Sequence, residues 1–258
     1  MHPGKWTTVD KIRLPIQANI MATLGNYLLS DLYIDGEIVK ESPNAITVKQ
    51  LEKYIRSLVP GNIFFTDSEN YVSNEFIPGK WKHAVIYLGT QKQTNNMFYG
   101  NNNMLNFLKK YYITGDETLI IDSTSEWVAI RDYKELSNLK NVSFLIALSS
   151  FKINKSKKDI KTFLSYAIQQ IGKNYDYDMI TDDDTNLYCS ELLYEALKEI
   201  QIYISIKDQV YGRDIILPSN VVKYIVSEGI PNKEFKFMFF IDKYNNQVQE
   251  NLLKTLDF

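Results

Sequence analysis

Asn186-Leu187-Tyr188-Cys189-Ser190-Glu191-Leu192-Leu193-Tyr194-Glu195-Ala196-Leu197 contains the only cysteine of the chain and places it where a helix begins. From Cys189 onward Leu192, Leu193, Ala196, Leu197 and Ile200 recur at i, i+3/4 and i+7/8, which is the stripe of a helix buried along one face. Thr185 or Asn186 carries a suitable side chain for its N-cap. A thiol in the first turn sits at the partly positive end of the aligned peptide dipoles. That position favours the thiolate, the form that attacks carbonyl carbon. The competing assignment is an inert core cysteine, because a free thiol packs as a small hydrophobe.

A general base would separate the two. The chain has two histidines, and His2 lies at the terminus, so His83 is the ordered candidate. His83 opens the run Lys82-His83-Ala84-Val85-Ile86-Tyr87-Leu88-Gly89, an apolar, β-branched stretch that reads as a buried strand. A histidine at a strand mouth can meet the N-terminus of a helix packed on the same sheet. Nucleophilic thiol chemistry needs that approach, with a third polar group to hold the ring.

Several segments, in a particular order, resemble a known family. Phe163 to Tyr177, with its Gly172-Lys173-Asn174-Tyr175 turn, and then Tyr188-Cys189-Ser190-Glu191-Leu192-Leu193 resemble the helix, Gly-x-x-Tyr turn and cysteine helix of NlpC-type, papain-like cysteine hydrolases. The histidine strand here precedes the cysteine helix, as in the circularly permuted YiiX/YebB-like branch. Pro60-Gly61-Asn62-Ile63-Phe64-Phe65-Thr66 is similar to that branch's Gly-Asp-Ile strand, and Trp81 to Gly89 to its histidine strand. Leu119-Ile120-Ile121-Asp122-Ser123 is similar to the strand that carries the acid. Asn62 stands in place of the usual acid after glycine, and Asp122 where glutamate is commoner.

The resemblance, which runs from about residue 58 to about residue 220, implies an α+β permuted papain-like fold. An antiparallel sheet or small barrel would pack against the cysteine helix. It also implies a triad of Cys189, His83 and Asp122. Tyr175, matching the tyrosine ahead of the cysteine helix, is a candidate second oxyanion donor beside the Cys189 backbone N–H, with a packing aromatic as the alternative. Cleavage of an amide bond in cell-wall peptides or amino-acid conjugates is the leading expectation. The alternatives are a lipid acyltransferase or lipase, since the lecithin retinol acyltransferase group shares the permuted order, and a binding module on a degenerate hydrolase scaffold.

Composition bounds these readings. The chain has 258 residues, 45% of them hydrophobic and 23% charged, which is ordinary globular content with enough chain for a substantial core. Twenty-nine basic and 31 acidic residues leave a formal charge of -2, which gives no argument for nucleic acid or an anionic membrane as partner. One cysteine excludes an intramolecular disulfide, and with two histidines it argues against a Cys/His zinc site. No metal or other cofactor is expected. Neither a spanning apolar run nor the order of a signal peptide is evident, so a cytoplasmic location is the default expectation.

Residues 1–58 read as a helical segment, with one stripe through Ile16, Ile20, Leu24, Tyr27 and Leu28 and another through Val48, Leu51, Tyr54, Ile55 and Leu58. Residues 59–258 read as the hydrolase domain. Strands are expected at 62–66, 83–89, 119–122, 127–131, 142–149 and 235–241, and a helix at 158–171 whose start at Lys155 to Lys158 is solvated. Residues 90–117 interrupt the strands with an Asn-rich stretch, read as a surface excursion in preference to a substrate lid. Asp182-Asp183-Asp184 lacks the alternating spacing of a calcium loop and reads as helix-start charge or solvated loop. Glu191 is assigned a structural hydrogen bond in the first turn, outside the chemistry.

Overall fold

The apolar runs become strands covered on both faces. A computed structural model describes residues 45–68, 77–124, 126–136, 145–177, 185–210 and 213–242. The expected helix through Ile16 and Leu28 and the Asp182 to Asp184 run lie outside these residues. Strands β1 (Asn62–Ser68), β2 (His83–Thr90), β3 (Thr118–Ser123), β4 (Val128–Asp132), β5 (Leu145–Ile153) and β8 (Phe235–Asp242) form one six-stranded sheet in the order β4-β3-β2-β1-β5-β8. Every neighbouring pair is antiparallel. β6 (Asp208–Val210) and β7 (Arg213–Ile215) make a separate short hairpin.

Side chains alternate across a strand, so each strand feeds two cores. Ile63, Phe65, Ala84, Ile86, Leu88, Ile121 and Phe151 belong to the larger one, together with helices α4 (Lys157–Gln169) and α5 (Cys189–Lys198). Phe64, Val85, Tyr87, Ile120, Leu148 and Phe239 belong to the second, closed by Leu51 and Ile55 of helix α1 (Val48–Ile55). The result is a helix-sheet-helix sandwich, and the uniformly apolar strands follow from both faces being covered.

Local chemistry sets the element boundaries. Thr47 and Gln50 cap α1 reciprocally, and Ser156 and Asp159 do the same for α4, so Lys157 and Lys158 are its solvated first turn. At the Pro60-Gly61 turn, Gly61 has φ +88, and a Cβ there would collide with Cγ2 of Ile160 on α4. Only glycine permits both the left-handed backbone and the close approach of β1 to that helix. Asn62 takes a turn role where the related branch carries an acid: its Oδ1 accepts the Val59 N–H at 2.8 Å.

Two expectations are corrected. The N-cap of α5 is Tyr188, with extended φ -90 and ψ 168, rather than Thr185 or Asn186. Asn186 is instead drawn into a β-bridge with Asn174, which keeps the chain extended past it. The Asn-rich insertion is two capped helices, α2 (Gln91–Met97) and α3 (Asn102–Lys109), and not a loop. Its Phe98, Leu108 and Tyr112 are buried in the larger core, and Tyr112 OH donates to Gly89 O at 3.0 Å. The insertion leaves and rejoins the sheet at the Thr90↔Thr118 rung. At about 3.3 Å per residue that rung is roughly 23 Å along β2 from His83, so the insertion is rooted at the opposite end of β2.

Candidate active site

Helix α5 enters the sheet where two strands part. β2 and β3 pair from Thr90↔Thr118 to Ile86↔Ile121, and their ladder ends there. Beyond it His83, Ala84 and Val85 pair with β1 alone, and Asp122 and Ser123 pair with β4 alone. The start of α5 packs against both strands at this fork. Ser123 Oγ donates to Leu187 O at 2.5 Å, and the backbone N–H of Ala84 acts on Cys189 to lower its thiol pKa. The stripe of Leu192, Leu193, Ala196 and Leu197, all buried, holds the helix against the sheet. Fully burying each leucine contributes about 1.5–3 kcal/mol.

His83 is fixed by the backbone of the two residues before it. Trp81 N–H donates to Ser219 Oγ at 3.0 Å, at the start of helix α6 (Pro218–Tyr224), and Lys82 N–H donates to Thr66 O at 2.9 Å. The imidazole Nε2 lies 2.9 Å from Asp122 Oδ2. A carboxylate can only accept, so Nε2 carries the proton and Nδ1 is left for the hydrogen bond that the ring makes with Cys189. Asp122 is 2% exposed and Cys189 4%, while the His83 side chain keeps 22% exposure. The base is therefore the member of the group most open to solvent.

The electrostatics follow from this arrangement. Burial pulls the His83 imidazole toward its neutral form. The charge on Cys189 and the Asp122 hydrogen bond outweigh it and push the ring up to about 10. Burial raises the Cys189 thiol, but the His83 cation, its hydrogen bond and the Ala84 N–H prevail and hold it below its ordinary range. Asp122 is likewise opposed by burial, yet His83 and the charge of Arg131 keep it ionised below the usual carboxylate range. The imidazolium thus favours the thiolate, and the thiolate in turn favours the imidazolium.

The tyrosine turn is stitched to the same place. Gly172 N–H donates to Val128 O, and Val128 N–H to Lys173 O, each at 2.9 Å, while Leu187 N–H donates to Asn174 O at 3.0 Å. These bonds bring Tyr175 within reach of Cys189: burial first, and then the charge on Cys189, raises its phenol well above the ordinary value. Tyr175 therefore stays protonated, as a donor must. Its ring also packs on Tyr177, with centroids 5.0 Å apart. Glu191 Oε2 accepts the Tyr188 N–H at 3.4 Å, the first-turn structural bond expected of it.

His83, Asp122, Cys189 and Tyr175 are thus neighbours. Two further participants went unread in the sequence. Arg131 Nε lies 2.8 Å from Asp122 Oδ1, off the straight line of the N–H, so the contact acts mainly through charge. The signal was a lone arginine in the apolar strand Val128-Ala129-Ile130-Arg131, but using it required the register Asp122↔Ala129, which puts Arg131 on the acid's face. The Ala84 N–H is freed only because the ladder stops. Among the described residues, no group of three or more His, Cys, Asp or Glu side chains is arranged to hold a metal ion.

A family model described as permuted papain-like amidase enzyme, YaeF/YiiX, C92 family, matches residues 57–227, a span that takes in His83, Asp122, Tyr175 and Cys189. The chain belongs to this family. The permuted papain-like amidases of the YaeF/YiiX type share with it a helix-and-antiparallel-sheet fold in which the histidine strand comes before the cysteine helix. Among solved structures, the chain is similar to the crystal structure of metalloprotein yiiX from Escherichia coli O157:H7, at 14% identity and a TM-score of 0.42, over 70% of this chain and 88% of that one. Comparison with curated proteins gave no match. No helix among the described residues is long and apolar enough to cross a membrane.

Proposed function

We propose that the protein is a thiol amidase in which Cys189 is the nucleophile, His83 the acid-base and Asp122 the residue that fixes the imidazole. The observation that carries this reading is the single imidazole held between Asp122 at 2.9 Å and the Cys189 thiol, with the ring pushed toward its cation and the thiol toward its anion. Cys189 Sγ attacks the carbonyl carbon, and the C–O π pair moves to oxygen. The Cys189 backbone N–H, which has no acceptor within its own helix, and the Tyr175 hydroxyl donate to that oxyanion. On collapse the C–N bond breaks, the leaving nitrogen takes the proton from His83 Nδ1, and a thioester remains. Water then attacks the thioester, giving a proton to Nδ1. The C–S bond breaks, the acid leaves, and thiolate and imidazolium are restored.

The substrate class within this reading is a cell-wall peptide or an amino-acid conjugate. The proposed division sets residues 59–258 as the catalytic unit and 1–58 as a separate segment, of which α1 (Val48–Ile55) docks on the sheet. Burial of Leu51 and Ile55 of α1 on the sheet face away from α5 supports that division. The test is the rate of Cys189 alkylation by iodoacetamide between pH 4 and 9, in the parent protein and in His83→Ala. Fast alkylation well below the ordinary thiol pKa of about 8.5, lost in the variant, is expected. Slow alkylation rising only near that pKa in both would refute the proposal. Acyl-enzyme formation with a lipid ester but with no amide would replace amidase by acyltransferase.

A further inference from the structure

We infer that Arg131 is a positioning residue of the reaction, acting through Asp122 to hold the carboxylate ionised and aimed at His83. The inference rests on the thiol amidase reading and extends its triad by one residue. Asp122 is gripped at both oxygens: Oδ2 meets His83 Nε2 at 2.9 Å, and Oδ1 meets Arg131 Nε at 2.8 Å. The arginine is itself anchored, since its Nη2 donates to Thr124 Oγ1 at 3.0 Å. It reaches the acid because Asp122↔Ala129 and Ile120↔Arg131 are successive same-face rungs of the β3–β4 ladder, which makes Asp122 and Arg131 diagonal neighbours.

A charge count shows why the position matters. The ionisable groups facing Asp122 are His83 from β2 and Arg131 from β4. The charge on Cys189 from α5 also repels it directly, and Tyr175 from the preceding turn acts at one remove, through Cys189. With thiolate, imidazolium and carboxylate in place, the buried triad carries one net negative charge. Arg131 brings the cluster to neutrality. Without it, Asp122 is a 2% exposed carboxylate supported by one imidazolium, a state that burial disfavours. Protonating Asp122 would free the imidazole to turn, and misalignment of an acid-base group by about 1 Å costs on the order of 100-fold in rate.

The direction of the pH effect follows. Removing a cation from this cluster raises the pKa of Asp122, Cys189 and His83 alike, so both limbs of the pH-rate profile move to higher pH. A merely structural role lowers the amount of active protein and scales the profile without moving its limbs. The experiment is the pH profile of amide turnover and of iodoacetamide alkylation in the full chain, for parent, Arg131→Gln, Arg131→Lys, Asp122→Asn and the double variant Asp122→Asn/Arg131→Gln.

Arg131→Gln is expected to lose about 10- to 100-fold in kcat with KM within about twofold, and to shift both limbs upward by about half a unit or more. Arg131→Lys, which keeps the charge but not the planar fork, should recover to within about tenfold of the parent. In the Asp122→Asn background the arginine substitution should cost less than about threefold further, because its effect runs through the acid. Limbs that coincide with the parent, or a double variant losing the full product of the two single losses, would overturn the inference. If Arg131→Gln does not fold, Arg131→Met takes its place: reduced kcat with raised limbs supports the inference, and coincidence with the parent on both refutes it. A parent whose thiol is unreactive at low pH refutes the amidase reading itself, whereas a reactive parent with unmoved Arg131 profiles refutes this inference alone.

Discussion

Replacing His83 by Gln together with Cys189 by Ala should change how folding stability responds to alkaline pH, and the size of the change follows from two shifted groups. The imidazole, ordinarily near 6.5, is held up to about 10 in the folded chain. Its contribution is therefore fully present below pH 6.5 and is lost as pH rises through about 10. Cys189 is shifted the other way, so the unfolded chain carries an extra proton on sulfur up to the ordinary thiol pKa of about 8.5. Below pH 8.5 these two proton differences oppose each other. Above it only the histidine difference remains, at about 1.36 kcal/mol per pH unit. From pH 8.5 to 10 the parent should thus lose roughly 1.5–2 kcal/mol more than His83→Gln/Cys189→Ala, in which neither an imidazole nor a buried thiol titrates. Urea unfolding of both proteins at pH 7.5, 8.5, 9.25 and 10 measures the difference, and titrations common to the two cancel. Parallel stability curves for parent and variant above pH 8.5 would refute the imidazolium-thiolate assignment.

Three further outcomes are expected. Asp122→Asn should lower kcat by about 100-fold or more with little change in KM, because an amide can present its N–H to Nε2 and stabilise the wrong tautomer; stopped assays over a substrate series measure both constants, and an unchanged kcat removes Asp122 from the site. Tyr175→Phe keeps the ring packed on Tyr177 but removes the hydroxyl, and should cost about 10- to 100-fold in kcat if the phenol serves the oxyanion; an unaltered rate makes Tyr175 a packing residue. Phe98→Ala should destabilise the fold by about 3–5 kcal/mol in urea titrations while the kinetic constants per folded molecule stay the same, and altered substrate preference in a stable variant would restore the lid reading of residues 90–117.

What was legible in the sequence is what short-range pattern encodes. The His83 strand announces itself as a continuous apolar run because both faces of β2 are covered, and the α5 stripe is visible because Leu192, Leu193, Ala196 and Leu197 all point into one core. The helix start was misjudged because capping propensity favours Asn186, while a long-range bridge to Asn174 claims that residue. Asn-rich composition suggested a loop at residues 90–117, but Thr90 and Asn101 use their side chains as N-caps, the helical role open to short polar residues. Arg131 and the Ala84 N–H depend on strand register and on where a ladder ends, and neither is written in any local stretch of residues.

The fork between β2 and β3 gives the chain an order in time as well as in space. A ribosome delivers the strands bearing His83 and Asp122 before it delivers Cys189, because in this permuted arrangement the cysteine helix follows both. A partly synthesised chain can close the β1-β2-β3-β4 meander and pair the histidine with its acid, yet it contains no thiol at all, since Cys189 is the only one. Cys189 arrives after both and docks into a gap already flanked by His83 and by the Ala84 amide. On the thiol amidase reading, a nascent chain lacks its nucleophile until α5 has been made.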